Sequence, residues 1–302
     1  MIDQLGMQLS LPFATMRLRS PKPFRLQLLK WIGNKQRFAD EIVANFPSTF
    51  KTYYEPFLGS GAVLGTLAPR SAVAADIFPP LVDIWRTLKD EPETLKKWYS
   101  DRCGRIAGES KAVVYEQVRA AYNAAPGPAD LLYLCRSCYG GVVRFRKADG
   151  HMSTPCGVHN PVDANSFSRR VDAWQKKVQG TRFVCEDFAV SMARAKSGDL
   201  IYCDPPYVDS QSILYGAQAF SIERLLDSIV ACKSRGVRVA LSIDGTKRSG
   251  DRVCDVPVPV GLFETEVLVN CGRSMLRRFQ MAGQSLEAEV VSDRLLLTYP
   301  VS

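Results

Sequence analysis

The stretch Ile201-Tyr202-Cys203-Asp204-Pro205-Pro206-Tyr207 decides the fold, because an apolar strand ends there in a carboxylate, two prolines and an aromatic ring. Two successive prolines donate no backbone N–H and fix φ, so the chain leaves the strand with its carbonyl oxygens available as acceptors. We expect a small acceptor-rich cup beside a flat ring, which suits an exocyclic amino group on a planar base. A solvated loop after a strand is the alternative interpretation for these residues taken alone.

A second strand ends upstream in a glycine-rich turn. The segment from Tyr53 to Leu58 is predicted as a strand that breaks into Gly59-Ser60-Gly61, and Asp76 ends the next strand 76 − 61 = 15 residues later. Glycines in such a turn let the backbone approach a ligand closely, and the later carboxylate can bind two ribose hydroxyls. The third glycine of the dinucleotide fingerprint is missing, which favours a nucleoside without a pyrophosphate. S-adenosylmethionine fits that description.

Predicted strands and helices alternate over residues 53–88 and 182–243, with helices and a hairpin between them. This alternation predicts an open α/β sheet, doubly wound and mostly parallel, with an inserted helical and hairpin domain. Ligands bind such sheets beyond the carboxyl ends of the strands, at the point where the strand order reverses. We therefore expect the strands ending at Leu58 and Cys203 to be neighbours. An antiparallel pair, Glu266–Asn270 with Arg294–Tyr299, is expected near the C-terminus.

The composition is that of an ordinary globular protein, since 46% of the 302 residues are hydrophobic and 23% are charged. No apolar run approaches the ~18 residues of a membrane span and no export signal is visible, so we expect a cytoplasmic protein without membrane contact. Nine cysteines, an odd number, suit reduced thiols. Cys135 and Cys138 have the spacing of half a zinc site, but no second pair exists, so a packed helix end is favoured and no metal is expected.

The net charge of +8 is concentrated in two regions. Residues 1–37 hold seven lysines and arginines against one acid, and residues 133–182 hold nine against three. A polyanion such as DNA would explain two basic regions on either side of a cleft. A generally basic soluble surface explains the charge alone almost as well.

Four motifs together resemble one family. Lys30-Trp31-x-Gly33-x-Lys35, Glu55-Pro56-Phe57-x-Gly59-x-Gly61, Asp76 and Asp204-Pro205-Pro206-Tyr207 occur in the order and spacing of the Dam-like (D12 class) DNA adenine-N6 methyltransferases, and the similarity covers roughly residues 26–300. The resemblance implies a methyltransferase fold and an S-adenosylmethionine-dependent enzyme, with S-adenosylhomocysteine as product. Its substrate would be adenine at specific sites in double-stranded DNA, methylated by base flipping and direct in-line transfer.

The resemblance also implies a division of the chain and of the site. The catalytic core is expected at 26–88 and 182–302, a target-recognition domain at 89–181 and an N-terminal extension at 1–25. Asp204, Pro205, Pro206 and Tyr207 would be catalytic, with Asp204 and the Pro205 carbonyl accepting the N6 hydrogens and Tyr207 stacking on the base. The cofactor would be held by Trp31, Lys35, Glu55, Phe57, Gly59, Ser60, Gly61, Asp76, Asp187, Phe188 and Asp204. The DNA contacts would be Lys30, Arg136, Tyr139, Gly140, Val142, Arg144, Arg146, Pro155, Arg273, Arg277 and Arg278.

Several alternatives stay open. Gly140, Val142 and Val158 stand where the family has an Asn, a Leu and an Arg, so both the family's usual GATC target and another recognition sequence stay open. The same cup would accept the amine of cytosine, which leaves N4-cytosine methylation as a rival, beside an inactive DNA-binding protein of the same fold. Pro155-Cys156 suggests a C5-cytosine enzyme, but the dipeptide lies in the predicted hairpin. A cognate restriction endonuclease is a candidate partner, and no oligomeric state is indicated.

Overall fold

The structure, a computed structural model, describes residues 21–206, 220–247, 252–253, 258–273 and 290–301. Within these ranges, side chains are described except at 244–247, 252–253, 270–273 and 290–292. Of the predicted site residues, Tyr207, Arg277 and Arg278 lie outside the described residues, and the side chain of Arg273 lies outside them too. Most of the predicted N-terminal extension, residues 1–20, is likewise outside.

The elements follow one another as helices and strands with short connections. The helices are α1 (Ala39–Val43), α2 (Ala62–Leu67), α3 (Pro79–Asp90), α4 (Pro92–Gly104), α5 (Lys111–Ala124), α6 (Pro128–Ser137), α7 (Ala164–Lys177), α8 (Phe188–Ala193) and α9 (Ile222–Ser234). The strands are β1 (Tyr53–Glu55), β2 (Ala72–Asp76), β3 (Thr181–Cys185), β4 (Leu200–Cys203), β5 (Arg238–Lys247), β6 (Arg252–Val253), β7 (Thr265–Arg273) and β8 (Val290–Leu297). No helix among the described residues has the length and apolar character needed to cross a membrane.

The strands form one sheet in the order β3-β2-β1-β4-β5-β8-β7, with the short β6 paired to β5. From β3 to β5 all neighbours are parallel, whereas β8 is antiparallel to both β5 and β7. The strand order reverses between β1 and β4, where Tyr53 pairs with Leu200 and Tyr54 with Ile201. The predicted doubly wound, mostly parallel α/β sheet is confirmed, as are the two predicted neighbours and the antiparallel pair near the C-terminus.

Both faces of the sheet are covered. Successive side chains of a strand point to opposite faces, so Tyr53 belongs to one hydrophobic cluster and Tyr54 to the other. Helices α8 and α9 contribute to the cluster on the Tyr54 face, while α1 to α7 contribute to the cluster on the Tyr53 face. This double burial explains why every residue of β1, β2 and β4 is buried, with charged side chains only at the last positions of β1 and β2, Glu55 and Asp76.

The helices between β2 and β3 share their core with the sheet. The Trp85 ring of α3 lies 5.1 Å from Trp174 of α7 and 5.8 Å from Phe183 of β3. Its Nε1–H donates to the Gly59 carbonyl at 3.1 Å. One residue of the helical segment therefore joins α7, the sheet and the glycine turn, and large aromatic side chains of this kind supply much of a core's stability.

The predicted hairpin is present, although it forms only isolated bridges, Phe145 with Met152 and Cys138 with Cys156. The Arg146 N–H donates to the His151 carbonyl at 2.9 Å across the turn. Helix α1 is short, with five residues. The bond from the Phe38 N–H to the Lys35 carbonyl, 3.0 Å long, forms a separate turn before it.

Candidate active site

A tight turn between β1 and α2 forms one wall of a cavity at the carboxyl ends of the strands. Gly59 and Gly61 have φ values of 46° and 61°, a conformation that favours glycine. A Cβ atom added to Gly61 would lie 2.9 Å from the Trp85 ring, and one added to Gly59 would lie 3.3 Å from Trp31. Backbone conformation and packing therefore both require glycine here. Gly59 and Ser60 line the cavity, whereas Gly61 supports the turn from behind.

Asp76 connects the end of β2 to this turn. Its carboxylate accepts the Gly59 N–H at 3.0 Å and the Phe78 N–H at 3.1 Å, and the residue is only 5% exposed. A carboxylate that accepts two backbone N–H bonds is held in one orientation. Asp76 also lines the cavity, so the residue predicted to hold a ribose has a second task, which is to brace the glycine turn.

The far end of the cavity is aromatic. The Phe57 and Phe188 rings stack at 5.2 Å, and Phe220 lies 5.9 Å from Phe57 with its ring nearly perpendicular. The Arg224 guanidinium lies 4.8 Å above the Phe188 ring and donates to the Asp187 carboxylate at 2.9 Å. Phe57, Asp187 and Phe188 are predicted site residues, whereas Phe220 and Arg224 were missed, because α9 and the segment before it carry no motif.

The opposite end of the cavity carries charge. Asp204, Pro205 and Pro206 follow β4 and line the cavity. The Lys35 ammonium lies 2.9 Å from Asp204 Oδ1 and 3.3 Å from Asp293 Oδ2, and the Lys35 side chain is only 5% exposed. The lysine predicted to bind a cofactor is thus held between two protein carboxylates. Asp293, in β8, was missed by the sequence analysis, because nothing in its neighbourhood marks the strand as facing the site.

Glu55 ends β1 and lines the cavity beside this charged end. Burial raises the pKa of its carboxyl from 4.5 to about 8, and the nearby Asp204 carboxylate adds to the increase. The Tyr53 hydroxyl donates to Glu55 Oε2 at 2.7 Å and opposes part of that effect. Glu55 therefore carries a proton near neutral pH and contributes little charge to the cavity.

The cavity brings together most of the predicted cofactor and catalytic residues. Predicted residues that line it are Trp31, Lys35, Glu55, Phe57, Gly59, Ser60, Asp76, Asp187, Phe188, Asp204, Pro205 and Pro206. The turn at the end of β1 meets the Asp-Pro-Pro segment because β1 and β4 are adjacent.

The predicted DNA-recognition segment forms a separate surface. Tyr139 is 41% exposed, and Gly140, Arg146 and Pro155 are exposed as well. Arg144 is half-buried, and its Nε is a buried donor without a hydrogen-bond partner among the described residues. Val142 is buried, and its carbonyl accepts the Thr154 hydroxyl at 2.7 Å, so its side chain stabilises the hairpin instead of facing outward.

Arg136 is placed differently from the prediction. It is 3% exposed and donates to the Leu28 carbonyl at 2.7 Å, with its guanidinium 5.6 Å from the Phe167 ring. A side chain buried in this way is not presented to DNA. The DNA contact expected for Arg136 is therefore replaced by a structural role inside the protein. Lys30 is half-buried, and its pKa is lowered by burial and by the neighbouring Arg136. It packs against Gly141, where an added Cβ would lie 2.7 Å from the Lys30 Cβ.

The cysteines whose side chains the structure describes show neither a metal site nor an activated thiol. The thiols of Cys135 and Cys138 are free and buried, and burial raises their pKa, to about 12 for Cys138. Among the described residues no group of three potential ligands could hold a metal ion. Burial also raises the pKa of Cys156, which does not line the cavity. A thiolate attack beside the cup, as in the C5-cytosine alternative, therefore has no support.

Comparisons with known proteins agree with this geometry. Residues 31–251 match the family described as D12 class N6 adenine-specific DNA methyltransferase. A DNA adenine methylase of Vibrio cholerae serotype O1 is 26% identical over 230 residues, which cover 71% of this chain and 79% of that protein. A Type II methyltransferase of Lactococcus lactis subsp. cremoris is 29% identical over 238 residues, covering 70% and 79%. Among solved structures, an rRNA methyltransferase from Streptomyces viridochromogenes aligns over 87% of this chain and 84% of its own, with 14% identity and a TM-score of 0.36.

Proposed function

We propose how the cavity is divided between cofactor and target base, on the premise that this chain belongs to the D12 class N6 adenine-specific DNA methyltransferase family. As a member, the protein is an enzyme that methylates the N6 amino group of adenine at specific sites in DNA. The observation that supports the division is the adjacency of β1 and β4, which joins the glycine turn to the Asp-Pro-Pro segment in one cavity.

The glycine-turn end of the cavity fits S-adenosylmethionine. The backbone of Gly59 and Ser60 in the cavity wall, a fixed carboxylate at Asp76 and the aromatic wall of Phe57 and Phe188 match a nucleoside without phosphates. When bound, this cofactor supplies an electrophilic methyl group on a sulfonium. Asp76 would hold the ribose hydroxyls, and Asp187 with Phe188 would hold the adenine ring. Glu55 is neutral near pH 7 and offers a hydrogen-bond donor at the end of the cavity beside Asp204.

The Asp-Pro-Pro end would hold the target base. The Asp204 carboxylate and the Pro205 carbonyl accept the two N6 hydrogens, which localises the nitrogen lone pair and directs it toward the methyl donor. Asp204 then accepts the proton that N6 releases after transfer. Lys35 fixes the orientation of Asp204 through its contact at 2.9 Å. Tyr207, outside the described residues, is proposed to stack on the base.

The substrate is proposed to be duplex DNA with the target adenine rotated out of the helix. The N6 group is engaged in base pairing within the duplex, so it can enter the cavity only after leaving the stack. Tyr139, Arg144 and Arg146 of the hairpin segment would contact the DNA around the vacated position. The relative in L. lactis is a Type II methyltransferase, which supports a cognate restriction endonuclease as a partner.

Nucleoside analysis tests this function directly. Duplex DNA of mixed sequence is incubated with the protein and S-adenosylmethionine carrying a tritiated methyl group, then digested to nucleosides for mass spectrometry. We expect label in N6-methyladenine, and methylation-sensitive sequencing of the same DNA to show one short target sequence. Label in N4-methylcytosine alone would overturn the base assignment, and absence of transfer would point to an inactive DNA-binding protein.

A further inference from the structure

One side chain of α9 contacts two neighbouring residues at the aromatic end of the cavity. Arg224 lines the cavity, and its guanidinium lies 4.8 Å above the Phe188 ring. The same guanidinium forms a bidentate pair with the Asp187 carboxylate, in which Nη1 donates to Oδ2 at 2.9 Å and Nη2 donates to Oδ1. Arg224 therefore holds both the ring and the carboxylate that are proposed to bind the cofactor adenine.

The Asp187 carboxylate has little acceptor capacity left. The two oxygens of a carboxylate offer about four lone-pair positions. Asp187 is also the N-cap residue of α8, and its Oδ1 accepts the Ala189 N–H at 2.9 Å. With the two bonds from Arg224, both positions of Oδ1 and one position of Oδ2 are used. Because Asp187 lines the cavity, the remaining position of Oδ2 suits one donor of a bound ligand.

A carboxylate held with one open acceptor position distinguishes purines by the group at C6. Adenine carries an amino group there, which donates a hydrogen bond, whereas unsubstituted purine carries only a hydrogen atom. A site built for a donor rejects a ligand without one, because the polar group of the site is then left without a partner. This selectivity requires a fixed carboxylate, since the terminal torsion of an aspartate side chain is only weakly restricted by itself.

The bidentate pair supplies that restriction. A guanidinium is planar and presents two parallel N–H donors that match the two oxygens of a carboxylate, whereas a lysine ammonium acts as a point charge. The side chains of Arg224 and Asp187 are 49% and 28% exposed. An ion pair this open to solvent adds little to the stability of the fold, so its main consequence is the orientation of Asp187.

We propose that Arg224 is a positioning residue that makes the cofactor site selective for a 6-aminopurine, by holding the Asp187 carboxylate with one acceptor position open to the cavity. The inference rests on the proposed function, which places the cofactor adenine at Asp187 and Phe188. Arg224 acts through these two residues and has no part in the transfer of the methyl group.

Binding measurements on the full-length protein test the proposal without any turnover. Calorimetry gives the affinities for S-adenosylhomocysteine and for its purine riboside analogue, in which a hydrogen atom replaces the 6-amino group. We expect the wild type to prefer S-adenosylhomocysteine about ten- to thirtyfold. In Arg224→Gln the preference should fall to about threefold or less, because Asp187 is no longer fixed. A merely structural role would lower both affinities by the same factor and leave the preference unchanged.

A second variant separates orientation from charge. Arg224→Lys keeps the positive charge near Asp187 and Phe188 but cannot hold both carboxylate oxygens in one plane. We expect it to lose the preference to the same extent as Arg224→Gln. Both variants change a half-exposed side chain, and substitutions of this kind usually leave the fold intact. Either variant with the wild-type preference would overturn the proposal.

Arg235→Gln is the matched control. Arg235 also connects α9 to α8, because it directly follows the last residue of α9 and donates to the Met192 carbonyl at 3.2 Å. It is exposed and does not line the cavity. We expect Arg235→Gln to keep both affinities, and a loss of preference in this variant as large as in Arg224→Gln would contradict the proposal.

Failure of the proposed function gives a different result. A wild-type protein that binds neither compound, or binds both equally, would show that the adenine is not held at Asp187, and the inference would fall with that placement. A wild-type protein with the expected preference, together with Arg224 variants that keep it, would overturn the inference alone.

Discussion

The Lys35 ammonium lies 2.9 Å from Oδ1 of Asp204, so a residue preceding α1 orients the carboxylate at the end of β4. We predict that Asp204→Asn lowers the single-turnover rate of methyl transfer by about 10²–10³-fold, because an amide lacks the charge that stabilises the developing positive charge on N6. Lys35 keeps Asp293 as a partner at 3.3 Å, so the variant is expected to fold. Its affinity for S-adenosylmethionine, measured by calorimetry, should change little.

The control for this prediction is Asp199→Asn, which removes a buried carboxylate at the opposite end of β4 that does not line the cavity and accepts the N–H groups of Thr52 and Lys196 at 3.0 and 2.8 Å. It should transfer methyl groups at the wild-type rate. Turnover by Asp204→Asn within tenfold of the wild type would remove Asp204 from its catalytic role.

The sheet and the cavity could be predicted because their signals are local in sequence. The turn at Gly59-Ser60-Gly61 and the break at Asp204-Pro205-Pro206 each mark the carboxyl end of a strand. In a doubly wound sheet the ends of parallel strands lie on one edge, so these two motifs had to face the same cavity once β1 and β4 were neighbours.

The missed residues reach the site through tertiary packing. Asp293 lies in β8, separated from β4 in the sheet by β5, and Arg224 reaches the cavity from α9 by pairing with Asp187. Neither lies in a motif. The burial of Arg136 was missed for a related reason. A count of charges treats every arginine as exposed. The rings that lie near the Arg136 guanidinium belong to Tyr99 of α4 and Phe167 of α7.

Glu55 gives a prediction about pH and stability. Its pKa is about 8 in the folded protein against 4.5 for an exposed carboxyl, because of burial. Between these values the unfolded chain releases a proton that the folded chain retains, so this residue lowers the free energy of unfolding as the pH rises from 4.5 to 8. We predict that Glu55→Gln gains stability relative to the wild type by roughly 2–4 kcal/mol between pH 5 and pH 8.

Urea unfolding at pH 5 and pH 8 measures this difference. The surface variant Glu109→Gln is the control and should show no such gain between the two values. A Glu55→Gln protein whose stability relative to the wild type is the same at both pH values would show that Glu55 is ionised in the folded state.

We predict that Arg136 contributes to the stability of the fold, whereas Arg146 contributes to DNA binding. Arg136 is buried with its guanidinium bonded to main-chain carbonyls, so we expect Arg136→Met to lower the free energy of unfolding by about 2–4 kcal/mol. Its DNA affinity per folded molecule should remain unchanged. Arg146 is exposed and pairs with Asp149, so Arg146→Ala should leave stability nearly unchanged and weaken DNA binding. Urea unfolding and fluorescence anisotropy measure the two effects, and a reversal of this pattern would contradict the assignment.

Arg144 is the residue of the hairpin expected to set sequence preference. It is half-buried, its N–H donates to Thr154 Oγ1 at 3.0 Å, and its Nε has no acceptor among the described residues. A buried donor left without an acceptor is costly, so an acceptor on a bound base would stabilise it. We predict that Arg144→Ala relaxes or shifts the target sequence and costs about 1–3 kcal/mol on the wild-type target. Methylation-sensitive sequencing of DNA treated with the variant measures the preference, with Arg146→Ala as a control that should weaken all sequences alike. An equal loss on every sequence for Arg144→Ala would identify it as a phosphate contact.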